Sequence, residues 1–109
     1  MKTDNLTILV MLALPLVSGA LDIVADGRAQ TAIIVPDDAF PVVVFAAQEL
    51  QYHIRKATGS DLVIACENEK PTGHTGLIYL GSTSRAAAAS VAPQGLPSGG
   101  FVMRVAKPD

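Results

Sequence analysis

The residues of this chain whose types could do chemistry are few. They are the adjacent carboxylates Asp37 and Asp38, the histidines His53 and His74, the lone Cys66, and the run Gly81-Ser82-Thr83-Ser84. Glycoside hydrolysis would need two carboxyl groups about 5 to 10 Å apart across a scissile bond. Beyond the first twenty residues the acids are Asp22, Asp26, Asp37, Asp38, Glu49, Asp61, Glu67, Glu69 and Asp109. Most belong to turns or to the outer face of a helix. Asp37 and Asp38 precede a helix that starts near Pro41, where acids are expected to cap or charge the helix start. A glycine followed by hydroxyl residues, between a strand and a helix, could hold an anion on free amides. The run 81–84 lacks both the glycines of a dinucleotide loop and a Walker lysine. Serine and threonine lead at helix N-caps, so capping is the better reading there.

The remaining candidates are weaker. One cysteine makes no internal bridge, and Cys66 ends an apolar strand, which suits a buried, inert thiol. A metal site would need partners, and His53 and His74 stand at no recognisable ligand spacing. His53 reads as a boundary residue in mid-helix. His74 falls in a loop with no serine or cysteine signature nearby. Tyr52 and Tyr79 could stack on a sugar ring, but packing at the edge of the core is the default for two tyrosines on separate elements. No catalytic, cofactor-binding or metal-ligating residue is assigned.

Composition narrows the class further. The chain has 109 residues, a net charge of −2 and charges of both signs. No basic stripe interleaved with aromatics exists, so nucleic-acid binding is unsupported. The length allows one domain. Its first twenty residues carry Lys2, an apolar run from Leu6 to Val17, and then Ser18-Gly19-Ala20. This is the pattern of a secretory signal peptide. The run is short of the ~20 apolar residues that cross a bilayer; a retained anchor is the alternative. The expectation is a signal at residues 1–20, a mature chain from Leu21 to Asp109, a secreted or periplasmic location, and no membrane after cleavage. A domain of this size buries only about 60 to 65% of its unfolded surface.

The elements that must position these residues follow from periodicity. Leu21 to Val24 is a short strand candidate, followed by turn chemistry at Ala25-Asp26-Gly27. Ala32 to Val35 is β-branched and closed by Pro36, and could pair with the first strand as a hairpin. Phe45 to Gly59, FAAQELQYHIRKATG, is amphipathic: Val43, Ala47, Leu50 and Ile54 form one apolar stripe. Pro41 suits its first turn, Arg55 and Lys56 its last, and Gly59 its left-handed exit. Leu62 to Ala65 reads as a buried strand, Glu67 to Gly76 as a loop, and Leu77 to Leu80 as a strand ending at Gly81. Arg85 to Val91 is a short alanine-rich helix, residues 93–100 a breaker-rich loop, and Phe101 to Val105 an alternating final strand. The fold class expected is an α/β (α+β) sandwich: a small mixed sheet with one main helix and one short helix, incomplete at its C-terminal side.

These segments resemble a known pattern. The series IIVPDDAFPVVVFAAQELQYHIRKATGSDLVIA, then LIYLGSTS, then GFVMRVA is similar to the N-terminal domain of alpha-glucuronidases and the related second domain of beta-N-acetylhexosaminidases. Ala46, Ala47, Glu49, Leu50, Thr58 and Gly59 match the helix and its exit; Ile78, Leu80 and Gly81 match the second block, Gly100 and Phe101 the third. The likeness covers about residues 33–105. Phe40 departs from it, since the family often has a small capping residue before the proline. The resemblance implies a non-catalytic accessory domain of a secreted carbohydrate-degrading hydrolase. It implies a catalytic (β/α)8 barrel as partner, with the catalytic acids on that barrel. A free-standing module that touches a glycan is the alternative, though the chain has no tryptophan. A small α/β enzyme of another class is the third reading, opposed by the lack of any nucleophile, metal or phosphate motif.

Overall fold

In a computed structural model, the structure describes residues 21–106. The expected signal segment lies outside the described residues. The chain enters through a small antiparallel ribbon, β1 (Val24–Ala25) and β2 (Arg28–Ala29), with Val24 opposite Ala29. Asp26 and Gly27 between them both take positive φ, 53° and 72°. Two positive-φ residues in a two-residue loop match the right-handed twist of the flanking strands, and Asp-Gly is a preferred pair for it.

The expected hairpin between Leu21–Val24 and Ala32–Val35 does not form. The ribbon closes on the nearer Arg28–Ala29 because the two-residue turn sets the register there. That frees the next strand, β3 (Thr31–Val35), for a different sheet. This sheet has the order β4-β3-β5, with β4 (Ile64–Cys66) and β5 (Gly76–Tyr79) both parallel to β3. Ile33 sits level with Ile64 on one side and Ile78 on the other. The mixed α/β content expected is present, with its parallel and antiparallel pairings in separate sheets.

All five residues of β3 are buried. A central strand of a parallel sheet is covered on both faces and therefore reads as a continuous apolar run rather than an alternation. Ile33 and Val35 share a core cluster with Ala47 and Leu62, while Ala32 and Ile34, buried as fully, alternate to the opposite face.

Between β3 and β4 runs the main helix, α1 (Pro41–Thr58), the crossover that parallel pairing requires. Val43, Leu50 and Ile54 pack on the core cluster around the buried Ala47, as the apolar stripe demands. Gln51 donates its Nε2 to the Leu62 carbonyl at 2.7 Å, fixing the helix to the segment that leads into β4. Gly59, at φ 80°, ends α1 with its N–H on the Arg55 carbonyl. Only glycine adopts that angle without cost. Ser60 then donates its hydroxyl to the Gly27 carbonyl at 2.9 Å, tying the end of α1 to the first ribbon.

α1 starts at Pro41 as expected, but the expected cap does not form. Its N-cap is Phe40, which offers no capping side chain, and Pro41 occupies the first turn. Asp37 and Asp38 stand too far ahead of Pro41 to cap it. Asp37 instead accepts the Asn68 N–H at 2.9 Å and so holds the one-turn 3-10 helix Glu67–Glu69.

The second helix, α2 (Ser84–Ala88), is shorter than expected. Thr83 caps it, accepting the Ala86 N–H on Oγ1 at 3.1 Å. Ser90 turns left-handed at φ 58°, with Ser90 N–H on the Ala87 carbonyl and Val91 N–H on the Ala86 carbonyl. That pair of bonds closes the helix as a Schellman motif. Phe101–Val105 is not a strand. It is irregular and exposed, held to the end of α2 where Arg104 Nη1 reaches the Ala89 carbonyl at 2.6 Å. Alternation alone does not make a strand, because strand stability comes from cross-strand pairs and none forms here among the described residues.

Candidate functional site

The carboxyl ends of β3 and β5 lie side by side. β3 leads through α1 to β4 on one side, while β5 flanks it on the other, so the strand order changes direction between them. In open α/β sheets the crevice at such a point is where ligands bind. A cavity of about 330 Å³ lies there. Half-buried Pro36, Ala39 and Val43 form its floor, and exposed Asp38, Phe40 and Ser82 its rim. Gly81 also lines it, at φ 81°. A Cβ on Gly81 would come within 3.1 and 3.2 Å of the two Val43 methyl groups, so glycine there serves both the backbone angle and the close approach of β5 to α1.

The polar side chains at this end of the sheet divide into two groups. Asp37 serves the Asn68 amide, Glu67 accepts the Ser84 and Arg85 amides, and Thr83 caps α2. The serine-threonine run is therefore a structural cap in its Thr83 member. Asp38 and Ser82 take no hydrogen bond or ion pair among the described residues, and both face the cavity. Asp37 and Asp38, adjacent in sequence, thus have different jobs: one holds the fold and the other is free.

The other candidates stay apart from this cavity. His53 and Glu49 come within 3.5 Å of each other on the exposed side of α1. Tyr52 meets His53 edge-on at 5.2 Å and has Lys56 Nζ 5.5 Å from its ring centre. Tyr79 lies in β5 with Lys70 Nζ at 6.0 Å. Cys66 ends β4 half-buried and free. His74 precedes β5, and its Nδ1 is buried without a partner among the described residues. A second, more open hollow of about 450 Å³ lies between Leu21–Val24 and the His53–Thr58 end of α1. Among the described residues no three His, Cys, Asp or Glu side chains gather as a metal would require. No described helix is long and apolar enough to cross a membrane.

One surface escaped the sequence reading. Opposite its core stripe, the first half of α1 exposes Val42 (71%) and Phe45 (61%). The signal was present in Val42-Val43-Val44-Phe45, four consecutive apolar residues that cannot all turn toward one sheet at 3.6 residues per turn. No protein-family model matches the chain, nor does any curated protein or solved structure.

Proposed function

We propose that this chain is a non-catalytic accessory domain of a secreted carbohydrate-degrading glycoside hydrolase, of the alpha-glucuronidase or hexosaminidase kind, that seats against a catalytic (β/α)8 barrel. The observation that supports this reading is the outward apolar face of α1. The first two turns of α1, residues 41–47, are apolar on every side while the rest of the helix is amphipathic, and exposed apolar patches mark interaction sites. Covering Val42 and Phe45 with a partner would contribute roughly 1 to 2 kcal/mol each, scaled from about 1.5 to 3 kcal/mol for a fully exposed side chain. The role is positional: the domain forms one wall beside the barrel, and the acids that cleave the glycan belong to the barrel. A free-standing glycan-binding module is the second reading, and the open cavity at the strand ends favours it.

The test begins with the coding sequence beyond Asp109, which should continue into a barrel. In the joined protein, Phe45→Glu should lower the melting temperature of the pair while leaving that of the accessory domain alone unchanged. A continuation without a barrel, or an equal loss in both forms, removes the reading.

A further inference from the structure

We infer that the crevice between the carboxyl ends of β3 and β5 is a subsite for one ring of an uncharged oligosaccharide. The choice of carbohydrate rests on the function proposed above; the rest of the inference comes from the crevice itself. Its volume, about 330 Å³, suits one small ring rather than an extended chain. Its rim offers three groups that the fold does not use. Phe40 is 75% exposed at the N-cap of α1, where an apolar ring does no capping work. The negative face of that ring suits the C–H edge of a pyranose. Asp38 is a free carboxylate, an acceptor for two sugar hydroxyls, and Ser82 both donates and accepts. The half-buried floor of Pro36, Ala39 and Val43 adds apolar contact beneath.

Charge selects among polar ligands. Among the described residues Asp38 is the single ionisable side chain lining the crevice, and its full charge repels an anion such as a uronate more than the roughly half charge at the start of α1 attracts it. A cation meets attraction from Asp38 that the positive end of α1, which starts at Pro41 on the same side, weakens without cancelling. An uncharged ligand with many hydroxyls is the one that uses the carboxylate, the serine and the aromatic ring together.

The test is a titration of the full chain followed by amide NMR shifts. The probes are xylotetraose, cellotetraose and chitotetraose, with tetragalacturonate and choline as charged counterparts. At least one neutral oligosaccharide should give saturable shifts at the Asp38, Phe40, Val43, Gly81 and Ser82 amides. Phe40→Ala and Asp38→Asn should each weaken that binding fivefold or more and leave distant amides unmoved, since neither side chain holds the fold. The inference is overturned by the absence of saturable shifts for all three neutral probes, by shifts centred elsewhere, by tighter binding of tetragalacturonate or choline, or by variants that bind as the parent does. Docking against a barrel is read through Phe45, on another face, so either result can fail while the other stands.

Discussion

Replacing Ile33 by alanine is the sharpest test of how this small domain holds together. Ile33 is fully buried, 0% exposed, at the centre of β3, and it shares the core with Val35, Ala47 and Leu62. Ile64 and Ile78 stand level with it on either side, held there by the parallel ladder. Truncation of a buried isoleucine costs about 2 to 5 kcal/mol, and a site that cannot collapse lies at the upper end. A folded unit of this size has roughly 4 to 13 kcal/mol in total, at 0.05 to 0.15 kcal/mol per residue. The substitution should therefore remove a third or more of it. With a urea slope near 1 kcal/mol per molar, a loss of about 4 kcal/mol lowers the midpoint by about 4 M or leaves the chain unfolded in buffer. Val42→Ala is the control, because Val42 is exposed on the far side of α1 and its change should stay within about 0.5 kcal/mol. The assay is urea unfolding followed by circular dichroism. A midpoint lowered by less than 1 M in Ile33→Ala, or equal losses in the two variants, would show that β3 is not the centre of the core.

Other substitutions probe single local features. Gly81→Ala should destabilise by about 1 to 3 kcal/mol, more than Gly59→Ala, because both carry positive φ but only Gly81 has the Val43 methyl groups against its missing Cβ; thermal melts of the two variants give the order. Thr83→Ala should cost about 1 kcal/mol through loss of the α2 cap, and Thr83→Ser should restore most of it. Intact-mass measurement of secreted material should give a chain starting at Leu21; Met1 to Ala20 retained in the extracellular fraction counts against a cleaved signal. The chain alone should not turn over aryl glucuronides or aryl N-acetylglucosaminides, and turnover abolished by Asp37→Asn would overturn the non-catalytic assignment.

What could be read in the residues beforehand was whatever short-range chemistry determines. The helix boundaries followed from Pro41 and Gly59, and the buried face from the spacing of Val43, Ala47, Leu50 and Ile54. Thr83 was legible as part of a cap. The pairing of strands was less so, because Leu21–Val24 and Ala32–Val35 are both apolar and only the Asp26-Gly27 turn decides which partner each finds. The phenylalanine-led alternation at residues 101–105 predicted a strand, and local pattern carries no information about whether a neighbour exists. The crevice was the least legible part. It depends on residues 36–43 meeting residues 81–82, and on Asp37 being occupied while Asp38 is not, a distinction invisible in two identical adjacent letters.

The placement of β3 also bears on how the chain reaches its fold. Thr31–Val35 is uncharged, largely β-branched and buried on both faces, yet its two neighbours lie about thirty and forty-five residues further along. During synthesis it emerges before either can cover it, and such apolar β-prone segments invite pairing with other chains. Pro36, Asp37 and Asp38 follow it directly. A proline that donates no hydrogen bond and two like charges at the strand end are the residues that oppose such stacking. The same short turn that leads into α1 thus serves as a gatekeeper for the nascent chain. Changing Asp38 to an apolar residue should matter more for the yield of soluble protein than for the stability of what has folded.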